Sequence, residues 1–160
     1  MRIYFAASLF TQLERNWNRR LKDRIEQILP EAKIFLPQDI KINGAYEDPK
    51  NNGKLFTQCV KGIDNADIVL AVMEGCDVDS GTSWEMGYAY AKGKKVIGIR
   101  TDFRPGPDHG VNVMLGRSCN YVVREFAFLE DVDAVAEAVV RRLLKMKRAE
   151  RSGKAKKAAQ

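Results

Sequence analysis

Residues 2–6, Arg-Ile-Tyr-Phe-Ala, form a short run that reads as a strand, and Leu9, Phe10, Leu13, Trp17, Leu21, Ile25 and Ile28 follow at helical spacing. Pro30 closes that helix and residues 33–36 read as a second short strand. Residues 37–53 hold two prolines, two glycines and three asparagines, so they read as mainly loop, long enough to suggest a role over a site. Residues 55–65 read as helix. The most strand-like run is 67–73, Asp-Ile-Val-Leu-Ala-Val-Met, apolar on both faces as central parallel strands are. Residues 82–92 then read as a helix carrying the small residues Gly87, Ala89 and Ala91, 95–101 as a strand and 120–124 as the last strand. Val132, Val135, Ala136, Val139, Leu143 and Leu144 give the closing helix a buried stripe.

Strands alternating with helices predict a three-layer α/β fold with about five parallel strands in flavodoxin-like or Rossmann-like order. In such folds ligands sit outside the carboxyl ends of the strands, so the loops after Phe5, Leu36, Met73 and Thr101 should share one rim. The length of 160 residues, 45% hydrophobic and 30% charged, suits one domain and argues against disorder, collagen or a bare coiled coil. No apolar run approaches the ~20 residues of a bilayer span, and the chain enters its first strand without a signal-peptide pattern, so a cytoplasmic protein with no membrane partner is expected. Three widely spaced cysteines, Cys59, Cys76 and Cys119, and one histidine, His109, indicate neither a disulfide framework nor a zinc site; no metal or cofactor is expected. The net charge of +6 lies wholly in residues 145–160, where seven lysines and arginines face Glu150 alone. A neutral catalytic domain over 1–144 with a basic, mobile tail is the expectation, and a nucleic-acid partner is not.

The loop after the central strand, residues 74–87, packs three acids and two glycines ahead of Thr82. Thr82 with Glu85 three residues on has the spacing of a capping box, and acids near a helix amino end are favoured by its dipole. That reading explains Thr82 and Glu85 but requires neither Asp79 nor Tyr4 on the first strand. A carboxylate in a first helical turn at the sheet rim would also be kept ionised, as a nucleophile must be.

Ile3-Tyr4-Phe5-Ala6-Ala7-Ser8-Leu9-Phe10, Ala66-Asp67-Ile68-Val69-Leu70-Ala71, Asp79-Ser80-Gly81-Thr82 with Glu85-Met86-Gly87-Tyr88-Ala89, Gly93-Lys94-Lys95-Val96 and Val111-Asn112-Val113-Met114-Leu115 together resemble the nucleoside 2-deoxyribosyltransferases. Their superfamily includes the 2'-deoxynucleoside 5'-monophosphate N-hydrolases. The resemblance implies exchange of the base of a 2'-deoxynucleoside for another free nucleobase. Glu85 matches the nucleophile that forms a glycosyl ester, Asp79 the acid that protonates the departing base, and Tyr4 the hydroxyl that holds Glu85. Gly81 falls within the motif, Phe10 and Met114 match residues bordering the base, and Asn112 matches one that reaches the site of a neighbouring subunit. A homo-oligomer follows as an expectation.

Two departures bear on base recognition. Cys59 stands where the family commonly has a second acid, and the chain ends in Lys-Lys-Ala-Ala-Gln rather than in a carboxy-terminal aromatic. Gln38 or Asp39 in the long loop could take over. The alternatives are a nucleoside 5'-monophosphate N-glycosidase, whose counterpart of Asp79 is a serine beside the phosphate, and a nucleotide-sensing domain without turnover. Phosphoribohydrolases share Gly-Thr-x-x-Glu but have glycines at Asp79-Ser80. The Asp-x-Asp of haloacid-dehalogenase phosphatases ends a strand directly, whereas Glu74-Gly75-Cys76 intervenes here.

Overall fold

A computed structural model describes residues 1–41, 48–104, 110–125 and 132–158, with side chains as far as Ala149 and at Ser152. The order is β1 (Arg2–Ala6), α1 (Gln12–Ile28), β2 (Lys33–Phe35), a 3-10 turn (Pro37–Asp39), α2 (Pro49–Asn65), β3 (Ile68–Val72), α3 (Ser80–Ala91), β4 (Lys95–Arg100), α4 (Val113–Ser118), β5 (Tyr121–Arg124) and α5 (Asp133–Ala158). All strands are parallel, in the order β2-β1-β3-β4-β5. This is the flavodoxin-like order, whose direction reverses between β1 and β3 and opens a crevice there. As its two-sided apolar character requires, β3 lies mid-sheet.

Strand alternation divides the core in two. Ile3, Phe5, Ile68, Leu70, Ile97 and Ile99 face α1 and α5, where Leu21, Ile25, Val139 and Leu143 meet them. Tyr4, Ala6, Val69, Ala71 and Val96 face the opposite layer, closed by Ile63 of α2 and by Met86 and Ala89 of α3. Each fully buried Ile or Leu contributes ~1.5–3 kcal/mol. An exposed ion pair such as Arg2 with Asp67 contributes only ~0–1 kcal/mol. Apolar burial on both faces therefore fixes the sheet. Among the described residues no helix is long and apolar enough to cross a membrane.

The boundaries depart from expectation where capping decides them. α2 begins at Pro49, inside the stretch expected to be loop, because Asp48 accepts a hydrogen bond from the Lys50 amide at 2.9 Å and proline suits a first helical position. α4 was not foreseen; Asn112 opens it by accepting from the Met114 amide at 2.9 Å. Gly62 marks the tightest crossing. A Cβ there would stand 2.9 Å from the Tyr4 ring and 3.0 Å from Phe35, so the side-chain-free position lets α2 lie on both rings. Part of the long loop, residues 42–47, falls outside the described residues, as does His109.

Candidate active site

Tyr4 is fully buried on β1, with its ring stacked on Phe35 of β2 at 5.6 Å between centroids and 16° between planes. Its hydroxyl donates to Glu85 Oε1 at 2.5 Å. Glu85 reaches that position because α3 starts earlier than the Thr82 spacing suggested. Asp79 is the N-cap, its Oδ2 accepting from the Thr82 amide at 2.8 Å and the Thr82 hydroxyl at 3.1 Å. Glu85 then lies in the second turn, and the Thr82–Glu85 capping box does not form. The box forms instead at α1, where Thr11 accepts from the Glu14 amide at 3.2 Å and Glu14 accepts from the Thr11 amide at 2.8 Å.

This placement corrects the electrostatic expectation as well. Burial raises the Glu85 pKa, the Tyr4 hydroxyl pulls it back and the Asp79 charge raises it further, with a balance of about 7. The carboxyl is not held ionised by a first-turn position; near neutrality it is divided between its two forms. Tyr4 is driven far above its ordinary range, first by burial and then by the Glu85 charge, so it remains a fixed donor. Burial likewise raises the Cys59 thiol; the nearby Tyr4 hydroxyl opposes the rise and the Glu85 charge adds to it. The structure thus brings Tyr4, Glu85, Asp79 and Cys59 together. Cys59 offers a neutral, weak donor there.

A cavity of about 570 Å³ opens at the crevice between the loops after β1 and β3, with Asp79 on its wall. Its other polar walls are Ser8, Glu14, Asn18, Glu74, Asp77 and Thr101, and Leu13 and Trp17 lie on the α1 side. No lysine or arginine is among its described lining residues. Glu85 and Tyr4 do not line it: they stand on the α2/α3 side of the sheet, and Asp79 is the link between the two.

The remaining candidates are spread around this rim. Gly81 sits in the first turn of α3, where a Cβ would be 3.2 Å from Asp79 Oδ2. Phe10 and Met114 are 78% and 76% exposed, and Asn112 is exposed at the start of α4, which packs on α3. Gln38 and Asp39 are tied back to α1. Gln38 donates to the Arg15 carbonyl at 3.0 Å and accepts from Asn18, while Asp39 pairs with Arg19. Among the described residues neither is hydrogen-bonded to Tyr4, Glu85 or Asp79. Asp102 pairs with Arg104, and that guanidinium holds its carboxyl well below the usual range.

The family model for nucleoside 2-deoxyribosyltransferase matches residues 3–132. The chain belongs to this family. Among solved structures, a conserved protein from Enterococcus faecalis V583 is 29% identical with a TM-score of 0.68, covering 88% of this chain and 98% of its own. The 2-deoxyribosyltransferase of Bacillus psychrosaccharolyticus is 21% identical with a TM-score of 0.65, covering 85% and 90%. A Clostridium botulinum CMP N-glycosidase is 20% identical with a TM-score of 0.52, covering 89% and 97%. At these last identities the likeness is one of fold. No curated protein matches the chain.

Within this deoxyribosyltransferase-family fold, several residues that brace the rim carried no weight in the sequence. Glu14 also accepts from the Ser8 hydroxyl at 2.6 Å and the Phe10 amide at 3.0 Å, which sets the loop after β1. Glu74 accepts from the amides of Thr101 at 2.6 Å and Asp102 at 2.9 Å, tying the loops after β3 and β4. Arg100, 2% exposed, donates to the carbonyls of Met73 and Gly75 at 2.6 and 3.1 Å. Gly75 has φ +90, a conformation side chains resist, and so permits this turn. Thr11-x-x-Glu14 was readable as a capping box; the contacts of Glu74 and Arg100 depend on tertiary structure and left no local signal.

Proposed function

We propose that the protein is a nucleoside 2-deoxyribosyltransferase working through a glycosyl-glutamate. The observation that carries this reading is the part-buried Tyr4–Glu85 hydrogen bond set beside the Asp79 carboxyl at the sheet's switch point. A Glu85 oxygen attacks the anomeric carbon of the 2'-deoxyribosyl group, the N-glycosidic bond breaks with its electron pair leaving on the base, and Asp79 supplies the proton the base takes up. In the second half a free base attacks the same carbon, Asp79 takes back a proton and the Glu85 ester bond breaks. General acid catalysis of this kind contributes ~100 to 10,000-fold.

The Asp79 carboxyl, close enough to Glu85 for its charge to be felt there, supports a nucleoside over a 5'-monophosphate. A carboxylate ~4 Å from a phosphate charge repels it by ~1–4 kcal/mol, depending on local screening. A homo-oligomer belongs to the same proposal. Phe56, Trp84, Val113 and Met114 leave apolar surface exposed on α2, α3 and α4, and a second copy seated there would bring Asn112 to a neighbour's site.

The test is to incubate the protein with a 2'-deoxynucleoside and a different free base, and separately with the 2'-deoxynucleotide and no acceptor. A new deoxynucleoside should form in the first mixture and no base should be freed in the second; release of base from the nucleotide alone would contradict the assignment. Asp79→Asn sharpens the test. Asparagine caps a helix about as well as aspartate, so thermal stability should stay near that of the parent while exchange falls by ~100-fold or more.

A further inference from the structure

A second cavity, of about 480 Å³, lies at the opposite edge of the sheet between β2 and α2. It has the volume of a small-molecule site. Its apolar floor is the Phe35 ring, which is 36% exposed; Ile3 and Ile34 border it, but their side chains are buried in the core on the other face of the sheet. Its rim carries Arg2, Lys33 and Lys61 together with the side-chain amides of Gln58 and Asn65. No acid is among the described lining residues, although Asp67 pairs with Arg2 at 3.4 Å from outside. The contrast with the carboxylate-lined rim cavity is complete in sign. An aromatic face, two amides and three cations around one hollow match a ligand with a flat heteroaromatic part and a multiply charged anionic group.

We propose that this cavity is a binding site for a nucleoside 5'-monophosphate, separate from the catalytic rim. The base lies against the outer face of Phe35 and meets Gln58 and Asn65, while the phosphate is held by Lys33 and Lys61 with help from Arg2. The inner face of Phe35 stacks on Tyr4, so the occupant rests one ring away from the residue that holds Glu85.

Equilibrium dialysis of the full-length protein against AMP, with CMP and inorganic phosphate in parallel, tests the site without relying on turnover. AMP or CMP should bind, and inorganic phosphate at least tenfold more weakly, since it lacks the ring. Lys33 and Lys61 are exposed and make no part of the catalytic machinery. Lys33→Glu with Lys61→Glu should therefore leave the circular dichroism spectrum and basal activity intact while weakening nucleotide binding more than tenfold. Glu85→Gln should bind the nucleotide as the parent does, which makes the outcome independent of the proposed reaction, while the lysine reversals separate this site from the rim. Three results would overturn the proposal: no binding of either nucleotide at millimolar concentration, binding untouched by the lysine reversals, or inorganic phosphate binding as tightly as AMP.

Discussion

Glu85→Gln should cut base exchange by at least ~1,000-fold while leaving the protein folded. An amide keeps the shape of the carboxyl and still offers an oxygen to the Tyr4 hydroxyl 2.5 Å away, so the packing of α3 on β1 is preserved. What it lacks is an anionic oxygen able to bond to the sugar. The same substitution removes a half-buried group whose ionisation is disfavoured, and the sign of its effect on stability follows by linkage. With its pKa raised from 4.5 to about 7, Glu85 binds more proton in the folded state than in the unfolded one across that interval. Its contribution to stability is therefore full below about 4.5 and is lost as the pH rises through about 7. Relative to the parent, the melting temperature of Glu85→Gln should rise as pH is taken from 5 to 8. A variant with near-parental exchange would show that another group attacks the sugar.

The pH dependence of kcat/KM should show an acidic limb near pH 7, where Glu85 gains its charge in the free enzyme. Ordinary glutamates titrate more than two units lower, so a limb near 4.5 would mean that burial does not act on Glu85 as described. Tyr4→Phe supplies the signed control. The Tyr4 hydroxyl stabilises the ionised carboxylate, and a hydrogen bond to a charged group is worth ~1.5–3 kcal/mol, or about one to two pKa units. Removing it should move the limb upward by about that much, with the stack on Phe35 preserved. A downward shift, or none, would contradict the assigned role of the hydroxyl.

The fold was legible because its signals are local. Two-sided apolar character placed β3 in the middle of the sheet, and the stripe from Val132 to Leu144 gave α5 its buried face. The identical spacing Thr-x-x-Glu shows where legibility stops. At Thr11 and Glu14 it makes a capping box; at Thr82 and Glu85 it does not, because Asp79 captures the Thr82 amide first. Competition between two capping residues is settled by how the β3 loop closes, and spacing does not encode that. It decided that Glu85 turns toward β1 and meets Tyr4, 81 residues away in sequence. Cys59 was singled out only as a departure from a pattern, and its contact with Tyr4 needed α2 laid across β1 at Gly62. Gln38 and Asp39 were read only as members of the long loop; their ties to Arg15, Asn18 and Arg19 on α1 depend on tertiary structure and left no local signal.

The most direct measurement is mass spectrometry of protein quenched in acid during reaction with a 2'-deoxynucleoside in the absence of acceptor base. One deoxyribosyl group should appear on the peptide that contains Glu85, disappear when free base is added before the quench, and be missing in Glu85→Gln. Release of base with that peptide unmodified at every time point would contradict a glycosyl-glutamate.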